Sequence, residues 1–161
     1  MRLTAILPFL MACEGLPTPG TIDGLPATDN LDIVYIEWVT VPPTSATDAL
    51  IKQFIGDSER HPVAFVSAAW CGSCKAYKAT LASERMKAVH AKVQILELDL
   101  DHHTELLKTM GIRPVGVPHW EGLATSGQSS GLHMDGRAWS TDTLDAMAPV
   151  LEHFFARLDD A

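Results

Sequence analysis

Val63-Ala64-Phe65-Val66-Ser67-Ala68-Ala69-Trp70-Cys71-Gly72-Ser73-Cys74 is the stretch that decides the fold. Its first seven residues are apolar or small on both faces, the pattern of a central strand in a parallel sheet. The Cys-Gly-Ser-Cys that follows opens a helical pattern, so the cysteines fall where a buried strand meets a helix. Two residues between cysteines in a first helical turn let the sulfurs meet as a reducible disulfide. Cys71 then stands at a helix N-terminus, where unpaired N–H groups and the macrodipole stabilise a thiolate. That effect is worth about 0.3–2 kcal/mol, or up to about 1.5 pKa units. Lys75 and Lys78 add positive charge nearby. Gly72 permits a tight entry, the Ser73 hydroxyl is placed to donate to the thiolate, and Trp70 is expected to shield the sulfurs.

Working outward, β-branched and aromatic residues predict a strand over 32–39, ending before Pro42-Pro43. Ser45 is a candidate N-cap for a helix reaching about residue 57, with Ala49, Leu50, Ile51 and Phe54 on its apolar face. Beyond the cysteines, the patterns predict a helix over 71–90, a strand over 93–100 and a short helix over 102–110 closed by Gly111. Two short strands follow, near 119–125 and 130–135. Ser140 is placed to cap a last helix carrying Leu144, Met147, Leu151, Phe154 and Leu158 at helical spacing, which Pro149 should kink or split. The order β-α-β-α-β-α-β-β-α implies an α/β domain: right-handed crossovers, a parallel core and a terminal hairpin, in a mixed sheet flanked by helices. Trp38, Trp120 and Trp139 are read as core or rim.

These residues resemble the thioredoxin superfamily. The resemblance spans about residues 31–159 and rests on Trp70-Cys71-Gly72-Ser73-Cys74, the strand before it, the helix after it, and Gly111-Ile112-Arg113 upstream of Val117-Pro118. It implies a thioredoxin fold without a cofactor, the Cys71–Cys74 disulfide being the redox group. Cys71 would be the attacking thiol and Cys74 the resolving one. Pro118 would take the role of the family's cis-proline facing the cysteines, and the Val117 backbone would bind substrate chain, beside Trp70, Gly72 and Ser73. Protein thiols and disulfides would be the substrates. This chain departs from the family at Ser73, where a Pro is usual, and in a loop over 113–118 that is two residues longer than in thioredoxin. It departs again at Phe65, where thioredoxins carry a buried Asp. Val93, Ile95, Glu97 and Asp99 share one face of the next strand. Glu97 falls where thioredoxins place a Lys that pairs with the missing Asp. A partly desolvated carboxylate there is expected to have a raised pKa and to shuttle a proton for Cys74.

Two other readings compete for the cysteine pair. A structural metal site needs four ligands, and His102, His103 and His119 are the histidines available to complete one. A purely structural disulfide would suit a binding or scaffold protein, although so short a loop contributes little as a staple.

The chain has 161 residues, enough for one domain and a tail, and a net charge of −8. That charge disfavours nucleic acid as a partner, since binding it depends on clustered Lys and Arg. Residues 1–12 have Arg2, an apolar stretch and a small residue before Cys13, the layout of a signal peptide. Leu10-Met11-Ala12-Cys13 resembles the bacterial lipoprotein lipobox, which implies cleavage before Cys13 and acylation of its thiol. Plain secretion, or an apolar N-terminus with an incidental thiol in a cytoplasmic protein, are the alternatives. Residues 13–30, rich in Gly and Pro, read as a tether, and 31–161 as the thioredoxin-like domain. The chain is then expected to be a lipid-anchored monomer on the periplasmic side of a bacterial membrane. A tethered single domain without a large helical insertion favours a reductase, which there requires a membrane thiol electron donor.

Overall fold

A computed structural model describes residues 36–42, 47–56 and 59–160. The expected signal peptide over 1–12, Cys13, the tether over 13–30 and the Ser45 cap lie outside these residues. The elements are β1 (Glu37–Thr40), α1 (Thr47–Gly56), β2 (His61–Ser67), α2 (Gly72–Thr80), α3 (Glu84–Val89), β3 (Val93–Asp99), α4 (Thr104–Thr109), β4 (His119–Leu123), β5 (Ser129–Asp135) and α5 (Leu144–Ala156).

The sheet has the order β1-β3-β2-β4-β5. β3 pairs parallel with both β1 and β2, while β4 runs antiparallel to β2 and to β5. This is the mixed α/β sheet expected from the sequence, with β2 at its centre. Period-two alternation divides the core. Val63 and Phe65 of β2 join Ile95, Trp120, Tyr77, Met86, Met147, Leu151 and Phe154 on the face covered by α2, α3 and α5. Ala64 and Val66 join Ile51, Phe54, Leu96, Leu98, Leu107 and Leu123 on the face covered by α1 and α4. Both cysteines belong to the first face. Full burial of each large apolar side chain contributes about 1.5–3 kcal/mol, so both layers of helices are held strongly.

Three local expectations are corrected. The helix over 71–90 is two helices, because Ser and Thr side chains compete with the helical ladder. Thr80 Oγ1 donates to the Tyr77 carbonyl, and Ser83 Oγ donates to that of Thr80 while accepting from the Met86 N–H as the N-cap of α3. Pro149 does not split α5, which is continuous over Leu144–Ala156. A proline inside a helix costs about 3 kcal/mol, but Pro149 faces solvent while Met147, Leu151, Phe154 and Phe155 are buried on the other side. Ser140 is not the cap of α5; Thr143 is, after a 3-10 turn over Gly136–Ala138.

Candidate active site

Cys71 and Cys74 form a disulfide with their Cα atoms 5.3 Å apart. Cys71 is the N-cap of α2, and its Sγ accepts from the Cys74 backbone N–H at 3.0 Å. A thiolate formed on Cys71 by reduction therefore meets an N–H donor and the positive end of the helix. Cys71 is 4% exposed and Cys74 1%. Both sulfurs are therefore buried in the disulfide form, and both belong to the core cluster under α2.

The Val117–Pro118 peptide bond is cis. Pro118 shares a groove with Ser73, Val115, Gly116, Val117, Asp135, Gly136 and Arg137, so Ser73 of the motif, Val117 and Pro118 are brought together. Gly136 closes on this loop: its N–H donates to the Pro118 carbonyl at 2.9 Å. A Cβ there would stand 2.9 Å from Pro118 Cδ, so only glycine allows the approach. Trp70 and Val115 are the large hydrophobic residues left exposed among the described residues, and they lie in the segments that carry Cys71 and Pro118. Trp70 Nε1 donates to Asp101 Oδ2 at 2.9 Å, and the residue is 64% exposed.

A scan of family models matches the chain to the model described as Thioredoxin over residues 43–146. The chain belongs to the thioredoxin family. Among solved structures, it resembles a disulphide isomerase from Xylella fastidiosa Temecula1, with a TM-score of 0.56 and 18% identity over 74% of this chain and 95% of that one. It also resembles a thioredoxin from Trypanosoma brucei brucei, with a TM-score of 0.50 and 20% identity over 79% and 95% of the two chains. No curated protein sequence matches it. The thioredoxin fold and the bonded cysteine pair make the chain a thiol–disulfide oxidoreductase in the general sense.

Two roles read from the motif differ in this thioredoxin-family structure. Gly72 is exposed, has nothing near its missing Cβ and no positive φ, so the helix entry does not need a glycine there. The Ser73 hydroxyl does not donate to Cys71; it donates to Asp142 Oδ2 at 2.6 Å. Asp142 comes from the segment before α5, and its other oxygen accepts from Trp139 Nε1 at 2.9 Å.

Glu97 lies on the cysteine face of the sheet, 7% exposed, in register with Phe65 and Thr40. Its carboxylate accepts from Lys78 Nζ (2.7 Å), Ser67 Oγ (2.8 Å), Thr40 Oγ1 (3.0 Å) and Trp38 Nε1 (3.1 Å). The raised pKa expected from its position is therefore corrected. Burial pushes it up, but the bonds from Lys78 and Ser67, the Lys78 charge and the Thr40 hydroxyl together hold it below the usual carboxylate range. Lys78 and Ser67 could both have been found from sequence. Lys78 is one helical turn past Cys74, and Ser67 alternates onto the face of Val63 and Phe65.

Beneath the site, the Tyr77 hydroxyl donates to His90 Nε2 at 2.6 Å while His90 Nδ1–H donates to the Met86 carbonyl at 2.7 Å. Burial lowers the His90 pKa to about 4, which keeps this ring neutral. The histidines considered as metal ligands have partners elsewhere. His102 pairs with Asp99, His119 with Glu121, and His103 with the backbone of Asp99 and Pro42. His103 is buried, and its Nδ1 also meets the Asp99 backbone N–H at 3.0 Å.

Proposed function

We propose that this thioredoxin-family chain reduces disulfides in exported protein substrates, tethered by a lipid on Cys13 to the periplasmic side of a bacterial membrane. The observation that carries the chemistry is the Cys71–Cys74 disulfide capping α2 beside the groove of Pro118. In the reduced protein the Cys71 thiolate attacks a substrate disulfide, giving a mixed disulfide and releasing one substrate thiolate, which takes up a proton. Cys74, once deprotonated, attacks Cys71 Sγ and releases the second substrate thiol, leaving the Cys71–Cys74 disulfide. Two electrons pass to the substrate, and a membrane dithiol donor restores the pair. The Val117 backbone and the surfaces of Trp70, Gly72, Ser73 and Pro118 hold the substrate segment. Glu97 is assigned the proton of Cys74. It is ionised, as a base must be, but its low pKa makes it a weak one.

Support for export comes from the charged start, the apolar run and Leu10-Met11-Ala12-Cys13, with the Gly/Pro-rich stretch over 13–30 as tether. Support for reduction comes from a plain thioredoxin sheet without a large helical insertion among the described residues.

The deciding experiment is reduction of insulin with a dithiol donor, alongside substrate trapping. Cys74→Ser should accumulate mixed disulfides through Cys71, and Cys71→Ser almost none. Wild-type activity in the double Ser variant would overturn the enzyme and favour a scaffold whose disulfide is structural.

A further inference from the structure

Ser73 is the only hydroxyl in the motif, and its proton is committed. At 2.6 Å, the bond to Asp142 is in the range of a charge-assisted O–H···O⁻ contact. Asp142 is exposed, yet it is held from two sides. Trp139 donates to its second oxygen, and the Trp139 ring packs edge-on against Trp120 at 5.2 Å in the core that also contains both cysteines. Hydrogen bonds from Ser73 and Trp139 hold its carboxyl below the usual range, so it is charged at neutral pH. Asp142 makes no ion pair among the described residues. Of the charges near it, Asp135 pairs with Arg137 and Lys78 with Glu97. Lys75 is exposed on α2.

We propose that Asp142 is a positioning residue for the dithiol: it withholds the Ser73 hydroxyl from the Cys71 thiolate and sets a negative charge on a side chain of the motif itself. This rests on the exchange reaction assigned above and gives it a direction. Reduction converts the disulfide to a Cys71 thiolate and a Cys74 thiol. Whatever stabilises that thiolate stabilises the reduced form and makes the couple a stronger oxidant. Removing a donor and adding a like charge act the opposite way. The cap N–H of Cys74 and the α2 dipole favour the thiolate, while Asp142 opposes them and returns the couple toward electron donation.

The test is the equilibrium of the Cys71–Cys74 couple with glutathione, together with the Cys71 pKa from the ultraviolet absorbance of its thiolate. Asp142→Asn removes the charge and keeps one acceptor oxygen, enough for Ser73 or for Trp139 but not for both. It should shift the equilibrium toward the dithiol by about threefold or more and lower the Cys71 pKa by about half a unit. Both effects should shrink near about 1 M salt, where screening acts within a few ångströms. Ser73→Ala should leave the Cys71 pKa close to wild type, because the hydroxyl it deletes is already withheld. An Asp142→Asn protein with the wild-type equilibrium and pKa overturns the proposal while leaving the oxidoreductase reading intact. A wild-type couple that neither exchanges with glutathione nor reduces insulin overturns both.

Discussion

Phe65 stands directly opposite Glu97 in the parallel register of β2 and β3, an apolar ring facing a carboxylate that takes four hydrogen bonds. The ring packs among Trp38, Tyr77 and Trp120, with centroids 5.1–5.4 Å away. The strand leading to the cysteines is thus apolar at this level, and its polar requirement is met one strand over. Lys78, one turn beyond Cys74, connects that carboxylate to the helix of the reactive pair.

Replacing Glu97 should therefore affect both stability and rate. Glu97→Gln leaves the Lys78 ammonium unpaired and supplies one acceptor oxygen where four donors converge. A loss of about 1–3 kcal/mol is expected in urea unfolding. Resolution of the mixed disulfide by Cys74 should slow by about tenfold, with a flattened pH profile. A wild-type rate and profile would leave Glu97 as an anchor for Lys78 alone.

Acid should weaken the fold in two successive windows. His90 has a folded pKa of about 4, below its ordinary value. The unfolded chain therefore takes the proton first, and stability falls as pH drops from about 6.5 toward 4, by up to about 3 kcal/mol. Glu97, also depressed, contributes stability that is present above the ordinary carboxylate value and lost as pH falls through its lower folded one. Denaturant midpoints measured between about pH 7 and pH 3 should decline through both windows. A constant midpoint down to about pH 4.5 would rule out the buried neutral imidazole.

The groove can be perturbed without touching a sulfur. Gly136→Ala places a methyl 2.9 Å from Pro118 Cδ, and the rigid ring or its loop must move. Substrate turnover (kcat/KM) should fall by about tenfold or more, since small misplacements of a binding element are costly. The glutathione equilibrium of Cys71–Cys74 should stay at the wild-type value. A shift in that equilibrium instead would mean that Gly136 acts on the cysteines.

Anchoring has a direct readout. Mass spectrometry of the protein from a bacterial membrane should find an acylated N-terminal Cys13, and Cys13→Ser should release the protein from that membrane. An intact Met1 in the cellular protein would refute the anchor.

Local patterns were the legible part of this molecule. The apolar run of β2, the cysteine spacing, the hairpin of β4 and β5 and the apolar spacing of α5 each depend on neighbours within a few residues. Pro118 was legible through family resemblance. The break at Thr80–Ser83 was missed because apolar spacing continues through it, although Ser83 carried a capping signal. The charge state of Glu97 depends on donors from β1, β2 and α2, which only the folded sheet assembles. Asp142 lies 69 residues from Ser73, and no periodicity connects them.

The two borders of the sheet also bear on how copies of this protein meet. β5 is an outer strand, and it is interrupted by Gly131 at φ +85° and by a register shift against β4 between Glu121 and Leu123. β1, on the opposite border, is four residues long and is followed by Val41-Pro42. Long, flat borders invite a second chain to add a strand, whereas short or kinked ones resist it. Zipping of one copy onto another is therefore disfavoured on both sides.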